Sequence, residues 1–211
     1  MSREEARMAI REGASAIGLV GAMPSGPGII DDNLIADIAG AIPPPVATFL
    51  LTSQQSAAGI AAHHRRVRTT AIQIVDRLAE GSYADLRREA PGIKLVQVVH
   101  ITGPASFDEA LSISAHVDAL LLDSGRPFGQ VRELGGTGRT HDWSISRQIR
   151  EGVSIPVFLA GGLDTENVRE AIDQVGPFGL DVCSGVRSGG RLDPLNLSSF
   201  FREVSFREAR L

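Results

Sequence analysis

Two hydrophobic periods alternate along the chain. Short apolar runs of strand length fall at 16–20, 46–52, 70–75, 93–100, 119–123, 156–160 and 179–186. Between them apolar residues recur every three or four positions, the spacing of a helix that buries one face. The chain opens with such a helix: Ser2-Arg-Glu-Glu5 has the form of a capping box, Ala6, Ala9 and Ile10 continue it, and Gly13 ends it. Further helices are predicted at 32–42, 53–65, 83–89, 106–116, 142–151, 166–174 and from Asp193 or Pro194 to about 204. Ser106 and Glu109 read as a second capping box, and Asp142, Asp164 and Thr165 as helix caps. Pro43-Pro-Pro45 and Pro91-Gly92 end two helices, and the stretches 21–28 and 124–140 are loops.

Seven strands alternating with eight helices, at roughly 25-residue spacing, predict parallel pairing and right-handed crossovers. A (β/α)8-type barrel and a doubly wound open sheet both have this pattern. No Gly-x-Gly-x-x-Gly follows the first strand and the glycine-rich loops come late, which favours the barrel. An eight-unit barrel starts with a strand, whereas the first element here is a helix. Seven strands leave two edges unpaired and part of the apolar lining open to water. Either residues upstream of Met1 or another segment is expected to fill that gap.

Composition narrows the partners. At 211 residues the chain fits one domain, 1–211. A net charge of -4 with interspersed signs gives no reason to invoke nucleic acid or a membrane surface. No apolar stretch is long enough for a membrane span, and the charged N-terminus is unlike a signal sequence. The single cysteine, Cys183, excludes an internal disulfide and fits a reducing cytoplasm. No Cys/His grouping has zinc-ligand spacing.

The candidate chemistry sits at strand ends. Pro156-Val-Phe-Leu-Ala-Gly-Gly-Leu-Asp164 and Gly179-Leu-Asp-Val-Cys-Ser-Gly-Val186 both break into glycine. Glycine lets a backbone approach a ligand, and a helix N-terminus offers unpaired N–H groups, so strand-Gly-helix suits a phosphate. Two such loops on the last two strands match a barrel phosphate site, although tight turns alone also explain glycine at either one. Asp123, a lone carboxylate ending an apolar strand, falls on the catalytic face of a barrel, unless it only caps the turn with Ser124 and Gly125. His100 ends a strand on the same face, within reach of a substrate. His63 and His64 read as a solvated helix end with Arg65-Arg66-x-Arg68, His116 suits a helix C-terminus, and His141 is positional beside Asp142.

Several segments together resemble the phosphoribosylanthranilate isomerase family of tryptophan biosynthesis. They are Gly13-Ala-Ser-Ala-Ile-Gly18, Leu120-Leu-Leu-Asp-Ser124, Gly135-Gly-Thr-Gly-Arg-Thr-His-Asp-Trp143, Leu159-Ala-Gly-Gly-Leu163 with Glu166-Asn-Val168, and Asp181-Val-Cys-Ser-Gly-Val186. The likeness is densest from Ala119 onward. It implies the (β/α)8 barrel and an Amadori rearrangement of an aminoaldose phosphate to an aminoketose phosphate, with no cofactor and no metal. It puts the general acid on Asp123. The phosphate would lie on N–H groups near Gly161, Gly162, Ser184 and Gly185, with Gly136 and Gly138 nearby, and Asp181 would help hold the substrate. The partner implied is a small phosphorylated sugar, met by a monomer or homodimer in the cytoplasm.

Three features depart from the family pattern. The family's first strand, with its catalytic cysteine in a Lys-Ile-Cys-Gly type motif, would precede the opening helix. Pro27 of Ser25-Gly-Pro-Gly28 stands where the family has an arginine for the anthranilate carboxylate. Gln73-Ile-Val-Asp76 replaces a Gln-Leu-His-Gly strand end. Asp181 and Cys183 lie two apart and point to one side of a strand, which makes Cys183 a candidate base, although a lone buried cysteine is more often packing. A catalytically silent phosphate-binding barrel and an enzyme for another sugar phosphate stand as alternatives.

Overall fold

The structure, a computed structural model, describes residues 1–24, 28–125 and 140–205. Its strands are β1 (Ala16–Val20), β2 (Ala47–Thr52), β3 (Ala71–Ile74), β4 (Lys94–His100), β5 (Ala119–Asp123), β6 (Val157–Leu159) and β7 (Gly179–Leu180). They pair in parallel in sequence order. The helices are α1 (Arg3–Glu12), α2 (Asp32–Ala41), α3 (Ala57–Val67), α4 (Tyr83–Glu89), α5 (Ala105–Ser114), α6 (Trp143–Gly152), α7 (Val168–Val175) and α8 (Pro194–Ser205). A small hairpin, β8 (Arg187–Ser188) and β9 (Arg191–Leu192), leads into α8. Among the described residues β1 and β7 do not pair, so the sheet curls as a barrel with one open seam.

The strand sequences are apolar on both faces because both faces are covered. Ile72, Ile74, Leu95, Val99, Leu120 and Leu122 face the helices. Their neighbours Val75, Val96, Val98, Ala119, Leu121 and Ala160 fill the interior with Phe49 and Phe158. Phe49, Phe158 and Phe178 form a chain of edge-to-face rings with centroids 6.2 and 5.4 Å apart. A β-carbon at position 179 would lie 2.8 Å from the Phe158 ring, so Gly179 gives that ring its place.

The seam is bridged outside the sheet. The Glu5 carboxylate accepts hydrogen bonds from the Leu192 N–H at 2.8 Å and from Arg187 Nη1 at 3.1 Å, and it pairs with the Met1 ammonium at 3.3 Å. Burial alone pushes the Glu5 pKa up, but the Leu192 N–H and Arg187 outweigh it and hold the group below the usual carboxylate range. Glu5 therefore ties α1 to the hairpin after β7 and joins the two ends of the curled sheet. Ser2 Oγ accepts from the Glu5 N–H at 3.2 Å, so only half of the expected capping box forms.

Other expectations are corrected. Ser106 is not a cap: α5 begins behind Pro104, which turns Ser106 inward to donate to the His100 carbonyl and accept from the Thr102 N–H. Glu109 pairs with Arg77 instead. A complete capping box occurs at Ser82 and Asp85. His63 and His64 are buried rather than solvated, because each finds a partner under α3. His63 Nε2 donates to Asp32 at 3.0 Å and Nδ1 accepts from Thr52 Oγ1 at 3.1 Å, while His64 Nε2 donates to the Thr69 carbonyl at 2.8 Å. The helix expected over 53–65 starts at Ala57, capped by Ser56, and the last apolar run is a strand only over Gly179–Leu180.

Glu5→Ala leaves the little-exposed Arg187 guanidinium without its carboxylate. A loss of about 2–3 kcal/mol is expected, read as a lower midpoint in urea unfolding with an unchanged slope.

Candidate active site

Asp123 is the last residue of β5 and is 7% exposed, with Oδ1 accepting from the Ser124 N–H at 2.7 Å. The Ala160 N–H donates to the Leu122 carbonyl and the Asp181 N–H to the Leu159 carbonyl, continuing the ladder past β6 and β7. Asp123, Ala160 and Asp181 thus stand in one row across the C-terminal rim of the barrel. Ala160 belongs to the interior cluster, so the row faces inward. Gly161 follows with φ +85°, and a β-carbon there would fall 2.9 Å from Asp123 Oδ1 and 2.8 Å from Ser124 N. Both the backbone and the carboxylate require glycine at that point.

A cavity of about 580 Å³ runs from this rim down the seam between β1 and β7. Its walls are mainly apolar, including Gly18, Leu51, Val98, Leu121 and Phe158, and among the described residues its ionisable lining side chains are Asp123, Asp181, Cys183 and Arg187. Burial pushes the Asp123 carboxyl up to about 6, against a smaller opposing effect of the Ser124 N–H and hydroxyl. Asp181 is likewise pushed up to about 6, first by the apolar surroundings and then by the charge of Asp123. The Cys183 thiol is pushed up by burial despite the nearby Arg187.

The two glycine loops meet beside this row. The first is held by Asp164, which accepts from the Glu166 and Asn167 N–H groups, and by Asn167, which donates to the Gly162 carbonyl. Asp164 caps as expected, though α7 proper begins at Val168. The second loop makes one 3-10 turn over Ser184–Val186. A β-carbon at 185 would fall 2.0 Å from the Leu163 carbonyl oxygen, so the loops touch there. Gly161 and Gly162 both have positive φ. Among the described residues no protein acceptor takes the amides of Gly161, Gly162, Ser184 or Gly185. Such free amides suit an anion.

Asp123 and Asp181 line the cavity, and the loops carrying Gly161, Gly162, Ser184 and Gly185 lie beside the rim rather than in the cavity lining, with Gly161 against Asp123. Gly136, Gly138 and Pro27 lie outside the described residues. His100 is buried, with Nε2 donating to the Val75 carbonyl at 3.1 Å, and it is not part of the cavity lining. His141 bonds Ser146 Oγ at 2.7 Å, and burial pushes its pKa down to about 4. Sequence reading missed Arg187 at the cavity wall; nothing in its local sequence announces a partner 182 residues away. Among the described residues no cluster of three His, Cys, Asp or Glu has the geometry to hold a metal, and no helix is long and apolar enough to cross a membrane.

The chain is similar in sequence and in structure to known proteins. The family profile described as N-(5'phosphoribosyl)anthranilate (PRA) isomerase matches residues 48–203. The N-(5'-phosphoribosyl)anthranilate isomerase 2 of Methanosarcina mazei is 37% identical over 199 residues, covering 93% of this chain and 87% of the relative. The crystal structure of the phosphoribosyl anthranilate isomerase from Thermotoga maritima superposes with a TM-score of 0.81 at 28% identity, covering 98% and 95% of the two chains. A phosphoribosyl anthranilate isomerase in complex with reduced 1-(o-carboxyphenylamino)-1-deoxyribulose 5-phosphate superposes with a TM-score of 0.78 at 26% identity, covering 97% and 94%.

The buried carboxyl makes stability depend on pH. Asp123 binds its proton more tightly in the folded chain, so its stabilising effect is complete below pH 3.8 and is lost as the pH rises through about 6. A rise from 3.8 to about 6 corresponds to about 3 kcal/mol. Asp123→Asn removes this dependence, and its stability relative to wild type is expected to be higher at pH 8 than at pH 4 by up to that amount in denaturant melts.

Proposed function

The chain belongs to the N-(5'-phosphoribosyl)anthranilate isomerase family, and on that basis we propose that it catalyses the Amadori rearrangement of N-(5-phosphoribosyl)anthranilate in tryptophan biosynthesis. The product is 1-(2-carboxyphenylamino)-1-deoxyribulose 5-phosphate. One observation supports the reading: a buried carboxyl, Asp123, lines the cavity and lies against Gly161, on the first of two touching glycine loops whose amides have no protein acceptor among the described residues. The amides of Gly161, Gly162, Ser184 and Gly185 receive the 5'-phosphate, joined by Gly136 and Gly138. An acid with a pKa near 6 still carries a proton in part of its population near neutral pH, and it donates that proton to the furanose ring oxygen. Ring opening then leaves the iminium from which the C2' proton is removed. The apolar wall takes the anthranilate ring. The enzyme works as a monomer or homodimer in the cytoplasm.

A second reading is a catalytically silent barrel that binds a phosphorylated small molecule; the unpaired β1 and β7 edges beside the cavity favour it, since rearrangement chemistry is helped by a site closed to water.

Purified protein mixed with phosphoribosylanthranilate is expected to produce a first-order decay of substrate fluorescence, inhibited by inorganic phosphate. Phosphate binding without any decay selects the silent barrel. Gly185→Ala forces a methyl group into the Leu163 carbonyl and is expected to weaken phosphate inhibition at least about ten-fold, since it displaces the paired loops.

A further inference from the structure

We infer that His63 is a positioning residue for the substrate: it rivets both stems of the β1–α2 loop to the end of β2, and so sets Met23 and Gly28 in the wall that receives the anthranilate ring. The inference rests on the isomerase reading above and deepens it, naming what shapes the aromatic end of the site. His63 sits on α3, 4% exposed and outside the cavity lining. Burying an imidazole costs hydration, and that cost is offset only where the ring nitrogens are hydrogen-bonded. Both nitrogens of His63 have partners, and those partners belong to elements that frame the mouth.

One ring touches three elements. Nε2 donates to Asp32 Oδ1 at 3.0 Å, and Asp32 is the first residue of α2. Nδ1 accepts from Thr52 Oγ1 at 3.1 Å, and Thr52 is the last residue of β2. The Cε1 edge lies on Gly21, the first residue after β1: a β-carbon there would fall 2.5 Å from Cε1 and 3.1 Å from Nε2. Arg66 Nε donates to Asp32 Oδ2 at 2.8 Å and keeps that carboxylate turned toward α3. The backbone holds the same stems, with the Gly21 N–H donating to the Leu51 carbonyl and the Ile30 N–H to the Val20 carbonyl, each at 3.0 Å.

Between those stems the loop delivers Met23 and Gly28 to the cavity wall, beside Val20 and Leu51. Met23 also packs on the interior cluster with Phe49 and Phe158. The phosphate is assigned to the loops after β6 and β7, so a substrate anchored there turns its aromatic ring to the remaining apolar wall, to which Met23 belongs. Apolar packing alone lets such a wall slide, whereas hydrogen bonds are directional. The chain Thr52–His63–Asp32–Arg66 therefore fixes how closely the loop approaches the ring. Asp123 and the phosphate amides stand on other strands, so losing the rivet weakens substrate binding and spares both the acid and the anion site.

The test is steady-state kinetics on wild type, His63→Asn, His63→Gln and Asp118→Ala, with inorganic phosphate as a competing probe. Asparagine is too short to reach Asp32, whereas glutamine places an N–H donor near the position of Nε2. The expected result is a KM raised about ten-fold in His63→Asn, with kcat and phosphate inhibition nearly unchanged, and a KM brought back toward wild type in His63→Gln. Asp118→Ala controls for lost stability, because that carboxylate holds the Leu95 N–H, Arg87 and Lys94 at the opposite end of the barrel, and its KM is expected to stay at the wild-type value. An unchanged KM in His63→Asn overturns the inference. So does an equal rise in Asp118→Ala, a His63→Gln no better than His63→Asn, or a rise matched by an equal weakening of phosphate inhibition. If His63→Asn does not fold, Asp32→Ala decides from the more exposed side of the same bond: a raised KM supports the role and an unchanged one refutes it. Amide exchange reads the rivet without turnover: the Gly21 and Ile30 N–H groups are expected to exchange at least about ten-fold faster in His63→Asn, and unchanged rates overturn the inference. A wild type without turnover defeats the isomerase reading and this inference with it, whereas an active wild type beside an unchanged KM in His63→Asn defeats this inference alone.

Discussion

The contact between the loops after β6 and β7 sets the rim of this barrel. A side chain at 185 would collide with the Leu163 carbonyl, and one at 161 would press on Ser124 and the Asp123 carboxyl. With hydrogen atoms there instead, the two backbones close on each other and their amides stay free for an anion. The same bareness leaves the space beside Asp123 unfilled by protein. Anion binding and an accessible buried acid thus share one cause, and enlarging either glycine would disturb both.

That rim is supported by an interior that is not closed by strand pairing. Among the described residues β1 and β7 are parallel edges without a common ladder, and the cavity between them is mostly apolar. Edge strands of this kind expose unpaired backbone groups and lose part of the hydrophobic gain of a closed barrel. The helical layer compensates from outside: α1 lies on α8, and Glu5 fixes the hairpin after β7 through Leu192 and Arg187. The joint is electrostatic and partly desolvated, which makes it sensitive to removal of either partner. Because Arg187 also lines the cavity, the device that holds the seam borders the chemistry.

The electrostatics of the mouth follow from burial more than from local sequence. Asp123 and Asp181 are both raised, mainly by low-dielectric surroundings, and Cys183 is raised for the same reason. Ser124 moderates the effect at Asp123, and the neighbouring carboxylate adds to it at Asp181. His100 and His141, which sequence reading treats as rim or positional residues, are instead depressed by burial and bonded to Val75 and Ser146. They belong to the frame of the mouth.

Periodicity and punctuation in the sequence suffice for the parallel strand order, the seven strands, the late glycine loops and Asp123 at a strand end, because each depends on neighbours a few residues away. Capping at Asp142 and Asp164 is equally local. Ser106 shows where this fails: Pro104 moves the helix start, and the serine turns to the His100 carbonyl. His63 and His64 beside three arginines look solvated, yet their partners Asp32, Thr52 and Thr69 come from other elements. The Glu5–Arg187 tie, the lateral row of Asp123, Ala160 and Asp181, and the raised pKa values were decided only by the tertiary structure. Each arises from segments far apart in the chain that meet in a dry site, and no local pattern encodes that meeting.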